Sequence, residues 1–192
     1  MKSKIFLNFL KLIVITSLFI LFSGCGSSVK VVAEVSTQEM LDDVEYFVVT
    51  SREHTDEDVD YPMAPAAGGD HLGIWHNCGI YKVELLEEAA VHSLEHGAVW
   101  ITYKPDISVE ELIKLNTTFS GEEKILISPY PQQKSPIVAT AWARRLEVES
   151  VDDLKLSKFI EYFIDGEAAP EAGITCARGI GRPPNDPFFV NR

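Results

Sequence analysis

Residues 84–103 read E-L-L-E-E-A-A-V-H-S-L-E-H-G-A-V-W-I-T-Y, and the change of pattern inside that stretch sets the fold class. Acids open the segment, Ala89 and Ala90 occupy its middle, and Gly97 stands where a helix commonly ends, so the spacing predicts a helix over residues 84–96. The β-branched and aromatic run A-V-W-I-T-Y at 98–103 then predicts a strand, stopped by Lys104-Pro105. Upstream, residues 44–50 read as a first strand and 79–83 as a short one. Between them, residues 51–77 carry Pro62, Pro65, Gly68, Gly69 and Gly73 and read as one long loop. Loops of that length in a compact domain are functional or disordered, and His54, Tyr61, His71, Trp75 and His76 favour an ordered, functional one. Downstream, Ser108 with Glu111 forms a capping-box pattern opening a helix to Phe119. Residues 124–128 and 137–142 read as two further strands, and 151–165 as an amphipathic helix offering Leu154, Phe159, Ile160 and Phe163 for packing. Strands and helices alternate unevenly. The expectation is therefore an α+β fold: a single compact domain with a mixed or antiparallel sheet of about four to five strands, about three helices and a long histidine-bearing loop.

The ends of the chain speak to location. Lys2 and Lys4 precede an apolar run at 13–22, and Leu21-Phe22-Ser23-Gly24-Cys25 closes it with small residues before a cysteine. This is the layout of a secretory signal, and its ending resembles a bacterial lipoprotein signal, with Phe22 where leucine is usual. It implies a signal peptide over 1–24, lipidation (palmitate among the chains) at Cys25, a tether over 25–43, and a globular domain over 44–192 whose tail from Gly166 is coil. An uncleaved anchor is the alternative, against which stand Lys11 and an apolar run shorter than the ~20 residues of a comfortable span. Either reading holds the remainder on the extracytoplasmic side of the cell membrane or outer membrane. The formal charge of −12 deepens once Lys2, Lys4 and Lys11 leave with the signal, which argues against nucleic acid and anionic headgroups as partners.

All five histidines lie between His54 and His96. On a helix, His92, Glu95 and His96 share a face, and histidines four apart give a metal two ligands from one rigid base. A third and fourth come from the loop, with His71 and then His54 the first choices and His76 and Met63 weaker ones. Copper or zinc suits imidazole, and Met63 and Cys78 tilt the choice towards copper. Two imidazolium groups serving the dipole of a helix end are the plain alternative. Glu95 is expected to ligate the metal or to orient a histidine ligand. Read as H-x-x-E-H, the same residues match the inverzincin pattern, where Glu95 would be general base. That reading needs a further acidic ligand, for which Glu110, Glu111 and Glu161 stand available, and it sits awkwardly with histidines at a helix end. Beside Cys25 the chain has Cys78 and Cys176, expected to pair as a disulfide outside the cytoplasm; the alternative is thiolate ligation of Cu(I).

Tyr61-Pro62, Pro65, Gly69 and His71, then Gly79-x-Tyr81, then Val91-His92-x-Leu94-Glu95-His96-Gly97 resemble the bacterial domain-of-unknown-function family 3105. Pro129-Tyr130, Ala141-Trp142 and Phe159-Ile160 are similar to it as well, so the likeness spans residues 44–171. Ala66, Gly68 and Asp70 depart from its loop pattern but leave His71 in place. The resemblance carries no activity. It implies that His71, His92 and His96 belong to the family motif, with His54 less firmly placed. Three functions fit the sequence: a metal-binding lipoprotein, a lipoprotein whose histidines and Trp75 face a protein partner, and a metal-dependent hydrolase.

Overall fold

A computed structural model describes residues 41–181. The signal-like segment, Cys25, the tether as far as residue 40 and the prolines of the extreme tail lie outside the described residues. No helix among the described residues is long and apolar enough to cross a membrane.

The strands are β1 (Glu45–Tyr46), β2 (Gly79–Ile80), β3 (Val99–Tyr103), β4 (Ile125–Pro129), β5 (Ile137–Ala141) and β6 (Arg144–Val148). They form one mixed sheet in the order β1-β6-β5-β3-β4-β2. β2, β4 and β3 run parallel, while β5 and β6 return antiparallel beside β3. The helices are α1 (Glu87–Glu95), α2 (Val109–Thr118) and α3 (Leu154–Phe163). The described residues thus form an α+β domain with three helices and six strands.

Alternation along the strands makes two cores. Val99, Ile101, Ile125, Ile127, Ile137, Ala139 and Leu146 face Leu115 of α2 and Leu156, Phe159, Ile160 and Phe163 of α3. Trp100 and Leu126 face the opposite way, against Ala90, Val91 and Leu94 of α1, with Trp142 and Ala66 of the long loop completing that layer. A sheet buried on both faces tolerates the nearly continuous apolar runs of β3, β4 and β5. The histidine helix therefore lies alone with the loop on one face, and α2 and α3 lie together on the other.

Several elements differ from the sequence-based expectation. The strand expected over 44–50 keeps only Glu45–Tyr46 in the ladder; one more bond, Phe47 N–H to the Ala143 carbonyl, follows before the chain leaves the sheet edge. The count of strands exceeds four to five because β6 forms a tight hairpin with β5 through Trp142 and Ala143. Ala143 takes φ 60° there, a conformation that glycine or asparagine usually announces, so no turn signal marked the hairpin. α1 starts at Glu87, three residues late, because Leu86 is its extended N-cap and donates its N–H to His76 Nε2 at 3.1 Å. The Ser108 cap forms as expected, accepting from Glu111 N at 3.1 Å, but the Glu111 carboxylate turns away to Val151 N.

Candidate metal centre

The site is assembled where α1 ends. Its first turn anchors the long loop: Glu87 accepts from Ala66 N at 2.7 Å and Glu88 from Val59 N at 3.3 Å. Burial raises the Glu87 carboxyl above its usual range, against the pull of Ala66 N–H and the Tyr130 hydroxyl. Acids at a helix N-terminus also meet the positive end of its dipole. The loop then folds back on itself as an isolated parallel bridge, with Thr55 N–H to the His71 carbonyl at 2.8 Å and His71 N–H to the Glu53 carbonyl at 3.1 Å. Asp70 ties that bridge down by accepting from Ser51 Oγ and Glu53 N, which lowers its own carboxyl. His54 and His71 are thereby set side by side above the end of α1.

Four imidazoles gather at this point. Ring centroids lie 5.1 Å apart for His54 and His71, 4.9 Å for His54 and His92, 4.8 Å for His71 and His92, and 4.7 Å for His92 and His96. Trp75 closes the other side, 5.4 Å from His92 and 4.6 Å from His96, with its indole N–H donated to the Ala177 carbonyl. His71, His92, His96 and Glu95 are buried, and His54 is exposed.

Three of the rings are held in one tautomer. His71 Nδ1 lies 2.8 Å from the Gly69 carbonyl, His92 Nδ1 2.7 Å from the Leu72 carbonyl, and His96 Nδ1 3.1 Å from the Thr175 carbonyl. A carbonyl oxygen can only accept, so each Nδ1 carries the proton and donates it. In a neutral ring the lone pair then rests on Nε2. Burial pushes His92 down to about 4, with its histidine neighbours pushing the same way and the Leu72 carbonyl opposing, so the ring is neutral at pH 7. His96 is lowered too, chiefly by burial.

Glu95 completes the set. Its Oε1 accepts from Arg52 Nη1 at 2.8 Å, and its Oε2 lies 2.9 Å from His71 Nε2. That short distance is not a hydrogen bond: with the proton on Nδ1, His71 Nε2 has none to donate, and it is buried without a hydrogen-bond partner. An orphaned buried nitrogen beside a carboxylate oxygen is the arrangement that a cation between them would satisfy. His54, His71, His92 and Glu95 each offer a ligand atom, and these lie within 4.8 Å of one another. Ligands at ~2.0–2.1 Å from one ion stand about 3.4 Å apart in a tetrahedron and about 4.2 Å apart across a square, so a modest contraction closes the set. The residues present fit a metal ion.

A second set is formed by His92, His96 and Glu171, again within 4.8 Å. His96 Nε2 lies 3.4 Å from Glu171 Oε2. Glu171 and Thr175 come from the strap after α3, which the Cys78–Cys176 disulfide fixes beside the site with Cα atoms 5.4 Å apart. Sulfur in a disulfide offers no thiolate, so Cys78 is not a soft ligand here. His76, a weaker candidate in sequence, stays apart: its Nε2 serves as acceptor for the start of α1. Glu110, Glu111 and Glu161 belong to the two helices on the opposite face of the sheet, with Glu111 bound to Val151 N and Glu161 paired with Lys158. No residue pattern marked Arg52 or Glu171 in advance. Arg52 is one of many charges, and Glu171 is brought in only by a strap whose course Cys176 hinted at.

Fold and site together define an α+β domain in which one helix end and one long loop enclose a histidine–carboxylate cluster. The chain belongs to a family described as protein of unknown function (DUF3105), whose model matches residues 53–178 and so spans His54, His71, His92, Glu95, His96 and Glu171. No curated protein and no solved structure matches it.

Proposed function

We propose that this protein is an extracytoplasmic, lipid-anchored lipoprotein that binds one transition-metal ion, copper or zinc, through His54, His71, His92 and Glu95. The observation that carries this reading is that buried His71 and His92 each have Nδ1–H held by a backbone carbonyl, as has His96 beside them. Ligating histidines are commonly fixed in this way through their second nitrogen, because it sets the tautomer and aims the lone pair. The orphaned His71 Nε2 facing Glu95 supports the same reading. Three imidazoles and one carboxylate, with no thiolate, suit Cu(II) or Zn(II), and Cu(II) has the higher intrinsic affinity for such a set. Arg52 holds one oxygen of Glu95 and His71 faces the other, which suits a ligand better than a general base free to take a proton from water. The anchor rests on the Leu21–Cys25 signal layout.

The test is titration of the full-length chain in detergent micelles, stripped with chelator, with Cu2+ and Zn2+ in turn. One ion should bind per chain, Cu2+ should displace Zn2+, and His92→Ala should weaken affinity by at least about 100-fold. Wild-type affinity no greater than that of the His92→Ala, His96→Ala double variant would end the metal reading.

A further inference from the structure

The two ligand sets meet at His92. His54, His71 and Glu95 share one set with it and His96 and Glu171 the other, each set within 4.8 Å, and His92 is the one residue common to both. His92 Nδ1 is committed to the Leu72 carbonyl at 2.7 Å, so the ring has one lone pair to give. Two ions cannot both take it. Without His92 the second set keeps only His96 and Glu171, two ligands where a transition-metal site needs three or four. Each set also has its own contact with solvent: His54 is exposed, and the Glu171 side chain is 40% exposed while its partner His96 is 2%. Trp75 covers His92 and His96 together.

We propose that the cluster holds a single ion in two mutually exclusive positions that share His92 as common ligand: one with His54, His71 and Glu95, the other with His96 and Glu171. This rests on the metal-binding reading above and adds to it that the ion exchanges between two coordination spheres, each with its own opening. Because the positions exclude each other, the overall association constant is the sum of the two, and removing one position leaves the other intact. Two independent sites would give two ions instead.

The experiment uses the full-length chain in micelles with Cu2+ alone at sub-stoichiometric loading, followed by electron paramagnetic resonance and by competition with a chelator. Wild type should bind one ion and show two superposed copper signals. The His54→Ala, His71→Ala variant, which leaves the first position only His92 and Glu95, should keep only the signal of the His96, Glu171 position. The His96→Ala, Glu171→Gln variant should keep only the other. The association constants of these two variants should add up to that of wild type within a factor of about three. Should that variant disturb folding, judged by circular dichroism, His71→Asn replaces His71→Ala in it. Two ions per wild-type chain, or a wild-type spectrum unaltered in the His96→Ala, Glu171→Gln variant, would overturn the shared-ligand proposal while leaving metal binding standing. Full-strength binding in His92→Ala overturns both.

Discussion

His76 shows how one buried side chain ties stability to pH. Its Nε2 accepts from the Leu86 N–H, which requires the neutral ring, and burial lowers it from the ordinary 6.5 to about 4. The unfolded chain takes up this proton near pH 6.5, whereas the folded chain refuses it until about pH 4. The contribution is therefore complete above the unfolded value and is lost as pH falls from 6.5 towards 4, to an extent of roughly 3 kcal/mol. His76→Gln keeps an acceptor for Leu86 and cannot titrate. In urea denaturation of the metal-free protein at pH 7 and pH 4.5, this variant should lose less stability on acidification than wild type; equal losses would show that His76 plays no part. At this scale the sequence was partly legible. His92, Glu95 and His96 declare a shared face by their spacing alone. Arg52 and Glu171 do not, because partners reaching across 43 and 75 or more residues leave no periodic trace.

Gly97 terminates α1 and turns the chain directly into β3. Its φ is 90°, its N–H returns to the Leu94 carbonyl at 2.9 Å, and its carbonyl accepts from Asp165 N at 2.9 Å. A Cβ there would stand 2.5 Å from Asp165 Oδ1 and 2.9 Å from its Cα. Backbone strain and collision act together, so Gly97→Ala should cost about 2–4 kcal/mol in chemical denaturation, more than the common helix-interior gain from alanine could offset. A change below about 0.5 kcal/mol would refute the argument. The helix-to-strand switch was readable because a glycine and two changes of hydrophobic period mark it. β6 was not: its residues R-R-L-E-V carry charges at 144, 145 and 147, and Ala143 turns the hairpin without a glycine. Pairing along the whole length of β5 supplies what local preference lacks.

Taken as a whole molecule, the domain is cross-linked from the loop before β2 to the strap after α3. The Cys78–Cys176 bridge closes 98 residues, and a cross-link over such a loop removes unfolded-state entropy equivalent to about 4–5 kcal/mol. The Cys78→Ser, Cys176→Ser double variant should lose stability of that order in denaturant titration, and an unaltered midpoint would show that the bridge contributes nothing. For the anchor, the Cys25→Ser variant should leave the membrane fraction of the expressing cell and cease to incorporate labelled palmitate; continued labelling would rule out lipidation at Cys25. The sequence by itself determined the α+β class and the shared face of His92, Glu95 and His96, since these follow from periodicity, capping and i, i+4 spacing, which are local. Only the tertiary structure decided which histidines meet. It placed His54 and His71 together through a bridge with no strand signal, and it held His76 back as a helix partner. It also carried Glu171 to His96 on a disulfide-fixed strap and divided the candidate ligands into two sets about His92. Those choices depend on hydrogen bonds and burial between distant segments, which no local pattern encodes.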